Sequence, residues 1–297
     1  MLRKHTTNHI WITFATLALF ALLSPLFAAS QTGATMSETA GMQASENGFA
    51  DFDPANFDDP TTIDNEWFPL KPGTQFRYEG FTVEDEEEIP HQIVFTVTDL
   101  TKEIDGVPTV VIFEQDYSDD ELVEAELAFF AQDNDGNVWH LGQYSETYEA
   151  GEFIGGIAFL VGHLEGVRAG IMMLAEPKLG TASYSQGFAP PPINFTDRGQ
   201  VFEVGQMISV PFGDFEDVLV IKETNQEEPD AFQLKYYAAS VGNIRIGGED
   251  VQQETLELVD VEELSPDALA EVRAEALELE TRANVYGSTP PAEQNTQ

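Results

Sequence analysis

The chain has 297 residues, of which 53 are Asp or Glu and 13 are Lys or Arg, so its formal net charge at pH 7 is −40. A field this negative repels nucleic acid and anionic lipid head groups, and we expect neither as a partner. The chain contains no cysteine, which excludes a disulfide framework and a cysteine nucleophile.

Residues 1–30 have the pattern of a Sec-type signal peptide. Arg3 and Lys4 precede an apolar run over residues 10–23, which is shorter than the about 20 residues that a helix needs to span a bilayer. A proline then ends the run, and the small residues of Ala28-Ala29-Ser30 predict cleavage near Ser30. We therefore expect a secreted or periplasmic protein with no stable membrane insertion after cleavage. An uncleaved N-terminal anchor is the alternative.

Residues 51–262 have the pattern of a β domain. In "HQIVFTVTD" (91–99), β-branched and aromatic residues recur with a period of two, and the next run, "DGVPTVVIFEQDY", opens with an Asp-Gly turn signal. Further strand-like runs follow, with Gly, Asn, Asp or Pro at nearly every junction and no helical pattern between them. The sequence therefore predicts a mainly β fold, a curved antiparallel meander that is lipocalin-like or a half-barrel.

One helix is predicted over residues 263–287. Ser265 is a suitable N-cap, and Pro266 fits the first helical position. Apolar residues at positions 269, 272, 276, 279 and 283 form a narrow stripe, so we expect the helix to lie against the sheet. The stretches 31–50 and 288–297 are poor in large apolar residues and are predicted to be a flexible leader and a disordered tail.

The stretch "AQDNDGNVWHLGQY" (131–144) resembles half of a calcium-binding loop. An EF-hand loop needs a carboxylate at its first position and a glutamate at its twelfth. When Gly136 is aligned to the required glycine, Ala131 and Gly142 occupy those two positions, and the stretch is better interpreted as a hairpin turn. A weak calcium contact is the alternative. Its candidate ligands are Asp133, Asp135 and Asn137.

The sequence lacks the common catalytic motifs, such as a G-x-S-x-G elbow, an H-E-x-x-H helix or a phosphate-binding glycine loop. The stretch "GHLEG" places His163 two residues before Glu165. A histidine beside a carboxylate can act as a general acid or base. These two residues are therefore the candidate catalytic residues.

Four separated blocks resemble a family of exported, functionally uncharacterised bacterial β-rich proteins. The blocks are "TIDNEWFPLKPGTQFRYEG" (62–80), "FFAQDNDGNVWHLG" (129–142), "AGIMMLAEPKLGTASYSQGFAP" (169–190) and "VPFGDFEDVLVIKET…QLKYYAASVGNIR" (210–245). The last block is also distantly similar to TapB-like envelope proteins. Glu66 and the pair Ala239-Ser240 depart from the family pattern. The resemblance implies a β-rich envelope or extracellular domain and brings no catalytic residues.

We expect a binding protein rather than an enzyme. Its concave sheet face would bind an apolar or amphipathic small molecule, because removing hydrocarbon from water stabilises a complex by about 25 cal/mol per Å². The candidate ligand-binding residues are Phe159, Met172, Met173 and Tyr236. Two alternatives stay open, an extracellular or matrix protein whose acids bind divalent cations weakly and a secreted hydrolase. No cofactor is expected apart from weakly bound calcium, and the oligomeric state is left open.

Overall fold

The structure is a computed structural model that describes residues 48–84, 87–226, 231–247, 254–287 and 293–294. The predicted signal peptide lies outside the described residues, as do residues 31–47 of the predicted leader. Of the predicted tail, residues 293–294 are described, and they form a two-residue strand that pairs with Leu100 and Thr101.

The described residues form a mainly β fold with one C-terminal α-helix, and both predictions are confirmed. A single turn of 3-10 helix (Pro54–Asn56) precedes the first strand. The strands are β1 (Thr74–Glu84), β2 (Glu87–Ile104), β3 (Val107–Ser118), β4 (Glu121–Gln132), β5 (Val138–Glu149), β6 (Glu152–Leu160), β7 (Arg168–Met173), β8 (Tyr184–Ser185), β9 (Gly187–Phe188), β10 (Arg198–Val210), β11 (Gly213–Thr224), β12 (Gln233–Ala238), β13 (Gly242–Gly247), β14 (Thr255–Glu263) and β15 (Glu293–Gln294). The helix is α1 (Pro266–Gly287).

The strands form one nearly closed, antiparallel, barrel-like sheet. Its order is β8-β10-β11-β12-β13-β14-β1-β2-β3-β4-β5-β7-β9, with β6 beside β5 and β15 beside β2. The last long strand thus returns to the first, and the two ends of the sheet, β8 and β9, are separated in sequence by Gln186 alone. Neighbours in sequence are mostly neighbours in space, as the predicted meander requires.

The pairing of β1 with β14 depends on a glycine. Gly80 lies opposite Leu256, and a Cβ atom at position 80 would lie 1.7 Å from the backbone oxygen of Thr255. No side chain fits at that distance, so glycine is required for the two strands to meet at this point.

Helix α1 packs on the outside of the sheet, over β2, β4, β5 and β6. The Ser265 hydroxyl accepts a hydrogen bond from the backbone N–H of Ala268 at 3.2 Å, as expected of an N-cap. The predicted stripe buries Ala276, Leu279 and Ala283 against the sheet. Glu280 is also buried there, which the stripe did not predict.

Three ion pairs join this helix to the strands beneath it. Arg273 pairs with Asp99, Lys102 with Glu280 at 2.7 Å, and Arg282 with the fully buried Glu146 at 2.6 Å. Lys102 also lies over the rings of Phe129 and Tyr144, at 5.8 and 5.4 Å from their centroids. Because helix α1 covers their outer face, β4 and β5 are buried on both faces along most of their length.

Candidate ligand-binding cavity

The interior of the sheet contains a cavity that is partly open to solvent. It holds about 870 Å³ of empty space when its mouth is included, and the centre of a water molecule can move through about 80 Å³ of it. Its lining comes from β1 to β5, β7 and β11 to β13 and from the segments around Phe68, Gln186 and Phe195. Residues from all four blocks of the family resemblance line it.

Much of the wall is aromatic. The ring of Phe68 lies 5.5 Å from that of Phe130 and 6.3 Å from that of Tyr237. Phe76 and Phe95 meet edge to face at 5.9 Å on the neighbouring strands β1 and β2. These rings offer an apolar ligand both area and flat faces.

Phe68 is held in the wall by Asn65, which belongs to the segment that leads into β1. The side-chain amide of Asn65 donates to the carbonyl oxygens of Gly136 and Leu174, at 2.8 and 3.1 Å. Its oxygen accepts from the backbone N–H groups of Trp67 and Phe68, at 2.9 and 3.1 Å. The lead-in segment is thereby fixed across one part of the cavity.

Besides the aromatic rings, the interior contains carboxyl groups. They are carried by β3 and β4 and face inward in pairs. Glu114 is in register with Glu126, and Asp116 with Glu124. All four are buried, with exposed fractions between 3% and 8%. Like charges directly opposite one another destabilise a sheet, so these pairs need a local explanation.

Protonation supplies part of the explanation. Burial raises the pKa of Glu114 well above its usual value, and Glu126 and Asp116 raise it further. Burial also raises the pKa of Glu126 to about 7, although hydrogen bonds from Ser145 and Gln143 oppose the shift. Glu126 therefore exchanges its proton close to neutral pH.

Two buried cations supply the rest. His91 lies between Asp116 and Glu254, with ring nitrogens 2.6 and 2.8 Å from their oxygens. Burial acts to lower the pKa of His91, but the two carboxylates raise it to about 10, so its imidazole is charged. Lys235 forms an ion pair of 2.7 Å with Glu223, and the neighbouring carboxylates raise its pKa in spite of burial.

His140 on β5 lines the cavity with its imidazole ring buried among aromatic rings. Its Nδ1 lies 3.1 Å from the carbonyl oxygen of Gln186, and its ring packs at 5.3 to 5.9 Å from those of Phe130, Phe159 and Phe195. Burial lowers its pKa to about 4, although the carbonyls of Gln186 and Gly142 oppose the shift, so the ring is neutral. Since a carbonyl only accepts, the neutral ring donates its single proton to a backbone carbonyl at this site.

The four residues predicted to bind a ligand lie close to the cavity, but at different depths. Met172 lines it. Phe159 is buried behind the wall, with its ring 4.8 Å from that of Phe195, which is itself a lining residue. Met173 is fully buried and Tyr236 is half-buried, and neither lines the cavity. Ligand binding by any of these residues stays a prediction.

The alternation of side chains along a strand explains this division. Consecutive residues point to opposite faces of a sheet, so either Met172 or Met173 can face the interior, but not both. The same holds for Tyr236 and its neighbour Tyr237, which does line the cavity.

The candidate calcium ligands lie in the turn between β4 and β5. The Asp133 carboxylate accepts hydrogen bonds from the backbone N–H groups of Asp135 and Asn137, at 3.0 and 2.8 Å. It also accepts from the Asn137 side chain at 2.9 Å and the Trp139 indole at 2.7 Å. Across the described parts of the chain, no three His, Asp or Glu side chains are grouped to hold a metal ion. Calcium binding here stays a prediction.

The candidate catalytic pair is placed elsewhere. His163 and Glu165 are exposed in the turn between β6 and β7, and neither lines the cavity. Their catalytic role also stays a prediction.

The inward-facing acids were missed at the sequence level, although a signal for them exists. Glu114 and Asp116 are spaced by two within "VVIFEQDY", and Glu124 and Glu126 by two within "LVEAELAFF". Acids at alternating positions of otherwise apolar strands share one face. The sequence does not say that this face is the interior.

Comparison with known proteins adds distant structural likenesses. No protein-family model and no curated protein matches the chain. A candidate exported protein with a YmcC-like fold from Bacteroides fragilis is 12% identical, with a TM-score of 0.34 over 67% of this chain and 99% of its own. A candidate lipoprotein from Parabacteroides distasonis is 12% identical, with a TM-score of 0.35 over 67% of this chain and 100% of its own. Likenesses this weak carry no argument about the function of this chain.

No helix among the described residues combines the length and the apolar character that crossing a bilayer would require.

Proposed function

We propose that this protein is an exported, non-enzymatic binding module that takes up an apolar or amphipathic small molecule inside its sheet. The observation that carries the proposal is the partly open cavity inside the sheet, with its largely apolar lining. Small-molecule sites are concave, mostly apolar pockets with convergent polar groups. The aromatic rings supply the apolar surface, and polar side chains from β3, β4, β5 and β12 converge on the same space.

Burial of hydrocarbon would drive the binding. Each 100 Å² of apolar ligand surface removed from water contributes about 2.5 kcal/mol before the loss of ligand freedom is subtracted. The wall is preorganised for this purpose, because Phe68 is fixed by the hydrogen bonds of Asn65 and the ring of Phe130 packs against it.

The test uses N-phenyl-1-naphthylamine, a neutral apolar fluorophore, with the full chain and two matched variants. Phe130 lines the cavity, whereas Phe129 lies on the same strand and packs on the helix side beneath Lys102. We expect Phe130→Leu to weaken binding of the fluorophore by about tenfold. Phe129→Leu should lower the stability of the protein as much as Phe130→Leu does, but without changing its affinity for the fluorophore. Binding that is absent, or equally weakened by both variants, would contradict the proposal.

Export is supported by the pattern of residues 1–30, and the mass of the mature protein tests it. A chain that begins at or near Gln31 is the expected result. A full-length chain retained in the membrane would favour the uncleaved anchor.

A further inference from the structure

His140 brings a polar group to the aromatic part of the cavity. Its side chain is 5% exposed and is one of the lining residues. Its ring lies 5.3 Å from that of Phe130 and 5.5 Å from that of Phe195, and both of these phenylalanines line the cavity as well. A ligand that packs on these rings would therefore lie beside the imidazole.

One nitrogen of the imidazole has a hydrogen-bond partner and the other has none. Nδ1 lies 3.1 Å from the carbonyl oxygen of Gln186. Nε2 is buried and has no partner within the part of the chain that the structure describes, so the Gly142 carbonyl, although close to the ring, does not satisfy it. Buried polar atoms without a partner are rare, because an unmade hydrogen bond costs free energy. This atom can be satisfied by a polar group of a ligand.

The charge of the ring restricts the kind of polar group that suits it. Burial lowers the pKa of His140 to about 4, so the ring is neutral at neutral pH. A neutral ring offers no counter-ion to a carboxylate, which would bring an unpaired charge into a dry site. A hydroxyl is both a donor and an acceptor and carries no charge. It can therefore form a hydrogen bond with Nε2 whichever ring nitrogen carries the proton.

The rings near His140 indicate the body of the ligand. Phe130 meets Phe68 edge to face at 5.5 Å, and Phe68 meets Tyr237 edge to face at 6.3 Å. All three line the cavity. Aromatic rings pack favourably on such a wall in tilted or edge-to-face contacts. A rigid aromatic ligand also loses less freedom on binding than a flexible chain of the same area.

We infer that the cavity binds a neutral hydroxylated aromatic molecule, such as a naphthol, whose rings pack against Phe130 and Phe195 and whose hydroxyl forms a hydrogen bond with Nε2 of His140. The inference rests on the proposed function and narrows it to one class of ligand. The aromatic body would supply most of the affinity. His140 would discriminate between ligands with the same body, because a site built to hydrogen-bond a hydroxyl rejects the analogue that lacks it.

The experiment compares 1-naphthol, naphthalene and 1-naphthoate as competitors of N-phenyl-1-naphthylamine on the full chain at neutral pH. Naphthalene has the same rings without the hydroxyl, and 1-naphthoate replaces the hydroxyl with an anion. We expect 1-naphthol to bind about three- to tenfold more tightly than naphthalene, which is the range that one hydrogen bond contributes. 1-Naphthoate should bind most weakly.

Three variants test whether His140 causes this preference. His140→Phe keeps a ring and removes the hydrogen bond, so it should abolish the preference for 1-naphthol and change naphthalene binding by less than about twofold. His140→Gln keeps a side chain that donates and accepts, and it should retain part of the preference. Phe130→Leu is the control. It alters only the apolar wall and should weaken 1-naphthol and naphthalene by the same factor.

The outcomes separate the inference from the proposed function. Equal binding of 1-naphthol and naphthalene, tightest binding of 1-naphthoate, or a preference that survives in His140→Phe would overturn the inference and leave the proposed function standing. Failure of all three compounds to bind to folded protein would overturn both.

A spectroscopic readout on the unmodified chain covers the case in which the His140 variants do not fold. The NMR signal of Nε2 reports directly on a hydrogen bond to that atom. It should move far more with 1-naphthol than with naphthalene. Equal shifts with the two compounds would contradict the inference.

Discussion

Removing the carboxylate of Glu280 should cost the protein much of its stability. Glu280 and Lys102 are 2% and 1% exposed, and their charged atoms are 2.7 Å apart. Removing one member of a buried ion pair destabilises proteins by about 3–5 kcal/mol, because the remaining charge loses a counter-ion in a dry environment. For a chain of this size each kcal/mol shifts the melting temperature by about 2–4 °C, so Glu280→Leu should lower it by about 6–20 °C.

A double-mutant cycle and an exposed pair provide the controls. Lys102→Met should be as harmful as Glu280→Leu, whereas the double variant should lie within about 2 kcal/mol of the unmodified protein, because an apolar pair has no charge to desolvate. The pair Lys71–Glu263 is just as short, at 2.6 Å, but its side chains are 68% and 70% exposed. Lys71→Met should therefore cost less than about 1 kcal/mol. Urea unfolding measures all four variants, and additive losses in the double variant would refute the reasoning.

Three further predictions follow from other parts of the molecule. Gly80→Ala should destabilise by about 3 kcal/mol or more in urea unfolding, because its Cβ would lie 1.7 Å from a carbonyl oxygen of β14. Gly155→Ala, whose Cβ meets nothing within 4 Å, should change little. Asp133→Ala should cost about 2 kcal/mol in the same assay, since its carboxylate accepts four hydrogen bonds. Stability should fall as the pH rises from about 6.5 to about 9. Burial raises the pKa of Glu126 to about 7, and, against the effect of burial, two carboxylates raise that of His91 to about 10. Both groups favour the folded state in their protonated forms, so stability is lost as the pH rises through these values, and Glu126→Gln should flatten the part below about pH 7.

The acids of this protein occupy two different environments. Many decorate the surface, as the spread of acids along the sequence suggests, but Glu114 and Glu126 are buried at a cavity that the half-buried Asp197 also lines. The net charge of the chain therefore says little about its site. What decides the chemistry is the small number of acids that lose contact with water, because their pKa values and their demand for donors change with burial.

The sequence by itself determined the β class, the meander and the docked C-terminal helix. Each depends on local rules, such as the period of two in residues 91–99 and the capping signal at Ser265, which the structure shows in place. Apolar spacing was also sufficient to place Ala276, Leu279 and Ala283 against the sheet.

Only the tertiary structure decided which face of each strand lines a cavity. Met172 and Met173 are equivalent as sequence, yet the direction in which the sheet curves gives the interior to Met172. The pairing of Glu114 with Glu126 depends on strand register, and the unsatisfied atom of His140 depends on how the two ends of the sheet meet near Gln186. Curvature, register and closure are sums of many weak contacts between distant residues, and no local pattern of amino acids encodes them.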